Sequence, residues 1–519
     1  MVPYLNGISK SKAQLVNFRG YNANIYAGDG EFSDMCNMSG DHYPVLSTRQ
    51  KRGKYRKLTK ANGLFAKEKL AWVDGKEVYY DGVHIGDVET DGEKQFASMG
   101  AYLLIFPDKM IYNTYTGEYR SMVAEDAVYA VPGGNIVSDN ERFKAGQKIE
   151  ALFGNLRDRK RIFQIVEVVQ DPQRQLSVVD VETGETPDYD GAFDDPDVVS
   201  VSFDIRTIVP DMDFIVESEN RLWGCSSENH EIYACKLGEP EEWNCFEGIS
   251  TDSYAVTVGT DGDFTGAAVH LSYVMFFKED CVHAIYGTRP SNFQITTTKM
   301  QGVEKGSSRS LSTVNGALYY KSPYGICRYS GSIPQDVSEA LGNERYGKAQ
   351  AGAFGDRLYV SMEDGQGNWK LYVFCERTGL WHVEDTVQAR YFTPYEGNLY
   401  YLQGNDIMAV RCAEGMEKET DFEWSAKLYR FDEGSLDRKY ISRLQFRLAL
   451  DEGAWMEVWL SYDGSGEWER VMRIDEHPAV PFTVPVLPRR CDTMELKMAG
   501  YGGCRILGIA KVVEGGSEM

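Results

Sequence analysis

A chain of 519 residues exceeds what one hydrophobic core organises and implies roughly two to four domains. A hydrophobic share of 42% with 26% charged residues excludes a disordered chain, and 12% aromatics beside 51 glycines is the mixture expected of many short strands joined by tight turns. With 55 Lys+Arg against 78 Asp+Glu the net charge is −23, which disfavours chain-wide binding of phosphate backbones and leaves Arg49–Lys57 as the one dense basic stretch.

Residues 1–60 are rich in Gly and Asn and poor in periodic apolar positions, so they read as an extended N-terminal arm. Leu15, Phe18, Tyr21, Ile25, Tyr26, Phe32 and Tyr43 are isolated anchors on it, expected to dock on a neighbouring subunit. Met1–Asn6 shows no apolar core of an export signal, and no stretch approaches the roughly 18 apolar residues of a membrane span.

From residue 61 a loose repeat begins: a Gly, Asp or Asn turn, an aromatic strand, then a second short strand. Leu70–Gly82 and Tyr102–Tyr112 are the first two copies. Asn220–Cys225 with Glu231–Ala234, and Val274–Lys278 with Val282–Tyr286, are the next two. Gly316–Tyr320 with Gly325–Tyr329, Asp356–Val360 with Lys370–Phe374, and Gly397–Tyr401 with Asp406–Val410 complete seven hairpins. A period of 40–50 residues beyond 220 predicts propeller blades, with an array of β-sandwiches as the competing reading. The repeat breaks between 133 and 206, where longer β-branched strands predict a small inserted barrel or sandwich. Beyond the acidic stretch Ala413–Glu419, clean alternation at Ile441, Leu444, Phe446 and Leu448 predicts a sandwich.

The fold expected is therefore all-β: a β-propeller-like core, a small inserted β-barrel or sandwich, and a C-terminal β-sandwich. The boundaries expected are an arm at 1–60, first blades at 61–134, the insert at 135–206, remaining blades at 207–412, a linker at 413–419 and the sandwich at 420–519.

Chemistry is sparse. The seven histidines (42, 84, 230, 270, 283, 382 and 477) are scattered and form no metal or catalytic frame. Nucleophile-elbow, phosphate-loop and dinucleotide motifs are missing, and nothing nominates one pair of carboxylates for glycoside hydrolysis. Ten cysteines without a CxxC pair read as reduced core residues, and the even spacing of Cys225, Cys235 and Cys245 matches no zinc motif. The loop Asp188–Asp197 offers Asp188, Asp190, Asp194 and Asp195 as oxygen ligands for Ca²⁺, though without the closing Glu of an EF-hand, and a solvated acidic loop is the simpler reading. Ser461–Trp468 partly matches an Asp-box turn and reads as a hairpin loop. The chain is thus expected to be no enzyme and to carry no cofactor.

Three stretches resemble propeller-type bacteriophage virion proteins, the tail-nozzle and packaged-DNA-stabilisation proteins of short-tailed phages and related prophage tail-region proteins. They are Phe214–Gly224 followed by Leu237–Trp243, the blade from Thr265 through Phe276–Asp280 to Gly287, and Pro485–Asp492, with Glu31–Pro44 as weaker support. The resemblance spans about 210–340 and 435–515 and carries no catalytic residue. It implies a virion component of the tail or head–tail region (nozzle or hub), made in the bacterial host cytoplasm. Such a protein forms a homo-oligomeric ring, contacts other tail or portal/adaptor proteins, and lets DNA pass without specific binding. A host-recognition tail protein that binds glycan or receptor is the alternative, and a cellular propeller scaffold or cryptic glycosidase a further one.

Overall fold

Six of the seven hairpins form the middle pair of a four-stranded antiparallel sheet, and the seventh, Asn398–Gln403 with Asp406–Ala409, lies within a five-stranded one. The computed structural model describes residues 10–153, 160–170, 173–189, 200–431, 438–475 and 482–515. The first strand of each hairpin is buried along most of its length because both faces are covered: Leu103–Phe106 are all at most 1% exposed, and Trp72 and Leu222 are fully buried. The turns follow hairpin chemistry, as where Asn315 and Gly316, both at positive φ, join Ser312–Val314 to Ala317–Lys321. Seven such sheets in succession make this a β-propeller fold with added β domains, as the repeat predicted.

The chain divides into two compact units, residues 60–305 and residues 1–59 with 306–519. The first holds four blades, centred on Leu70–Tyr80, Tyr102–Asn113, Arg221–Ala234 and Tyr273–Tyr286. Between its second and third blades, six strands from Glu125 to Thr207 close into a barrel. The barrel has a separate core of Ile136, Phe143, Ile149, Phe163, Ile165, Leu176 and Phe203. It starts ten residues before the expected Asn135, because Gly133 and Gly134 form a hairpin tip within it rather than its entrance.

The second unit holds three blades, centred on Ala317–Tyr329, Arg357–Cys375 and Asn398–Ala409, and the sandwich. Here the expected arm is corrected. Lys10–Leu15 pairs with Cys504–Gly515, Phe32–Cys36 with Glu423–Leu428, and Leu46–Thr48 with Cys504–Gly515. Gly53–Lys57 pairs with Asp406–Ala409 and completes the last blade. The anchors Phe18, Tyr21 and Phe32 are at most 8% exposed and share one core with Trp381, Trp424 and Phe446, so they stabilise their own chain. Ile25 and Tyr26 remain exposed. Gly20 and Gly40 let this segment run against the propeller: a Cβ on Gly20 would stand 2.4 Å from the Trp381 carbonyl, and one on Gly40 2.6 Å from the His382 ring. The expected linker is corrected too, since Glu417–Lys418 pairs with Gly53–Lys54. The sandwich is accordingly completed by residues far upstream of 420.

Candidate functional site

The stretch Asn220–Trp243 builds a clasp inside the first unit. Arg221, 2% exposed, donates from Nη1 to the carbonyls of Cys235 (2.8 Å) and Asp252 (2.6 Å), and from Nη2 to that of Ser250 (3.0 Å). The Trp243 indole N–H folds back onto the Pro240 carbonyl at 2.7 Å. These bonds hold the turn 236–242 so that its three glutamates face other elements. Glu241 accepts from Arg120, next to the last strand residue of the second blade, and from Arg142 of the barrel at 2.5 Å. Glu239 pairs with Lys144 at 2.8 Å, and Glu242 accepts from the Gln147 amide. Arg142 also donates to the carbonyls of Ser121 and Met122, both at 2.9 Å.

The charges respond to this packing. The bond to Glu241 raises the Arg120 pKa against the opposing effect of burial. Burial pushes Glu239 up, but Lys144 and Lys236 outweigh it and hold its carboxyl below the usual range. Glu242, more deeply set, is raised by burial. The cavity among these side chains is about 40 Å³, far below the several hundred Å³ of a substrate pocket.

A larger cleft, about 520 Å³, opens in the second unit and is lined by His42, Arg49, Lys51, Lys418, Phe422 and Arg505 among others. It gathers four permanent cations in a chain of net charge −23. Two are already matched. Arg49 is bidentate to Glu419 at 2.7 and 2.8 Å and lies 4.0 Å from the centre of the Phe422 ring, while Lys51 meets Asp421 at 2.6 Å. Burial would raise Glu419, yet the bonds from Arg49 and the Arg52 backbone keep its carboxyl low. Lys418 and Arg505 are exposed and have no carboxylate partner among the described residues. The cleft is chemically suited to receive an anionic group. Behind it, Arg52 is 2% exposed and paired with Glu384 at 2.7 Å and Asp385 at 2.5 Å, tying the N-terminal segment to the sixth blade.

The residues singled out from sequence fare unevenly. Asp188 is exposed on the barrel and faces the Arg161 guanidinium at 3.8 Å. Asp190, Asp194 and Asp195 lie outside the described residues. His283 and His382 are buried, and burial lowers both to about 4, so they are neutral in the core at pH 7. Arg49–Lys57 is no free basic patch, since Arg49 and Arg52 are internal. Lys418 and Arg505 escaped notice because only folding brings them beside residues 42–51.

No protein-family model matches the chain, and no curated protein matches it in sequence. Among solved structures, it is similar to the β-propeller domain of the Trilobed protease from Pyrococcus furiosus, with 13% identity, 70% of this chain and 97% of that one covered, and a TM-score of 0.31. It is also similar to exo-β-1,3-galactanase from Phanerochaete chrysosporium, with 11% identity, 57% and 94% covered, and a TM-score of 0.24. At that distance neither activity passes to this chain.

Proposed function

We propose that the chain is a structural component of a bacteriophage particle, in the tail or head–tail region, and acts by assembly rather than catalysis. The observation that carries this reading is the clasp. The residues on which the resemblance to phage propeller proteins rests, Arg221, Trp223, Pro240 and Trp243, hold turns and join sheets. They do mechanical work in a body of many interlocked sheets, as a particle component requires. The basic cleft adds a means of association: Lys418 and Arg505 offer an acidic chain a place to receive a carboxylate of a second copy. With a net charge of −23 per chain, such a ring has no general means of holding DNA by its phosphates.

The test is made on particles. Purified virions should contain the protein in a fixed copy number, and disrupting its gene should arrest assembly before a complete tail. Complete, infectious particles lacking the protein would refute the reading.

One observation favours a second reading, host recognition. At the tip of the fourth blade Leu271, 56% exposed, sits in a positive-φ turn with Ser272, beside the exposed ring pair Tyr273 and Tyr286 at 5.6 Å. Exposed rings at a hairpin tip suit stacking on a sugar. Binding to a glycan array that is lost in Tyr286→Ala would support it, and its absence would remove it.

A further inference from the structure

We propose that Cys245, Glu247 and Asp252, in the loop between the last two strands of the third blade, bind a divalent metal ion of zinc type. One ligand atom from each of the three side chains lies within 4.8 Å of the others. Tetrahedral metal bonds of roughly 2.0–2.3 Å set ligand atoms about 3.3–3.8 Å apart, a spacing that rotation of the exposed Glu247 brings within reach.

The second observation is on Asp252. Its side chain belongs to a residue only 5% exposed, and Oδ2 accepts from the backbone N–H of Gly248 (2.6 Å) and Ile249 (3.1 Å). Oδ1 is buried and accepts no hydrogen bond. A buried carboxylate oxygen without a partner is costly, and an ion is one of the few things that explains it. The loop is pre-formed around this point, because Cys245 and Ser253 bond to one another through both backbone N–H groups, at 3.0 and 3.3 Å.

The donor set decides the metal class. One thiolate with two carboxylates fits a borderline ion such as Zn²⁺, whereas Ca²⁺ takes six to eight oxygens. Solvent reaches the site past Glu247 and can fill a fourth position. Binding forms the Cys245 sulfur–metal bond and releases the thiol proton to solvent. Without metal that thiol stays protonated: burial, opposed by Lys236 and assisted by Glu247 and Asp252, raises it to about 11. Sequence spacing does not reveal this set, because Cys-x-Glu with Asp five residues on matches no Cys/His pattern.

The probe is the metal alone on full-length protein stripped with chelator. Co²⁺ should bind at one equivalent with a thiolate-to-cobalt charge-transfer band, Zn²⁺ should displace it, and Zn²⁺ should raise the melting temperature. Cys245→Ser should abolish the band, and Asp252→Asn, which retains an acceptor for both N–H groups, should weaken binding about tenfold or more. Glu247→Gln, at an exposed position, should do the same with the metal-free melt unchanged, and stands in if Asp252→Asn does not fold. Cys504→Ser should keep the band. No band and no shift in the wild type, or a band that survives Cys245→Ser, would overturn the site.

Discussion

Buried charge in this protein is locked by partners. Lys94 is fully buried and donates to the Thr90 carbonyl (2.6 Å), the Thr90 hydroxyl (2.7 Å) and Asp108 (2.5 Å), fastening the loop that enters the second blade. Removing the cation strands a carboxylate in the interior. Lys94→Met is expected to destabilise by about 3–5 kcal/mol, read from denaturant unfolding. A loss under about 1 kcal/mol would show that water reaches Asp108. His283 makes a pH prediction. Its ring nitrogens meet the Thr260 and Thr297 hydroxyls at 2.9 Å, and its pKa is lowered from 6.5 to about 4. Above pH 6.5 the ring is neutral in folded and unfolded states alike and contributes no pH dependence. Between 6.5 and 4 the unfolded chain takes the proton first, so stability falls with pH across that window and levels off below it. His283→Gln should flatten part of that fall, with His382 and His270, both also lowered by burial, contributing to the rest. An unchanged slope would place His283 in contact with solvent.

At the scale of elements, strand pairing overrides chain order. The alternation beyond 420 suggests a sandwich that folds alone, but Phe32–Cys36 and Leu46–Thr48 contribute strands to its two sheets. A 420–519 fragment is therefore expected to give no cooperative melt, whereas adding residues 10–48 should restore one. Phe32, fully buried in the shared core, is the sensitive point, and Phe32→Ala should cost about 3–5 kcal/mol. A cooperative melt from 420–519 alone would show that the N-terminal strands are dispensable. Their contribution was illegible because Phe18 and Phe32 lack period-two neighbours. Such anchors look equally suited to a neighbour's groove or to their own chain's core.

In the whole molecule, the barrel has its own core and is joined to the third blade by the clasp. Replacing residues 125–207 with a short Gly/Ser linker should leave a soluble propeller. The Arg142 and Lys144 pairs would be lost, and because both side chains are part-exposed the cost should be about 1 kcal/mol, seen as a slightly lower melting temperature. Insoluble protein at every linker length would show that the barrel packs as part of the blades' core.

What the sequence determined by itself is whatever rests on neighbours in the chain. A strand–turn–strand hairpin is encoded within about fifteen residues, so all seven blade centres, the existence of an inserted β domain and the all-β class were legible from alternation, aromatic content and turns of Gly, Asp or Asn, whereas its closure into a barrel rather than a sandwich was not. What only the tertiary structure decided are the partners. Arg52 meets Glu384 across 332 residues, Arg49 meets Glu419 across 370, and Gly53–Lys57 closes a blade begun at Ala389. Side chains brought together from such distances leave no periodic trace, because a buried ion pair demands proximity and exclusion of water but no fixed spacing along the chain.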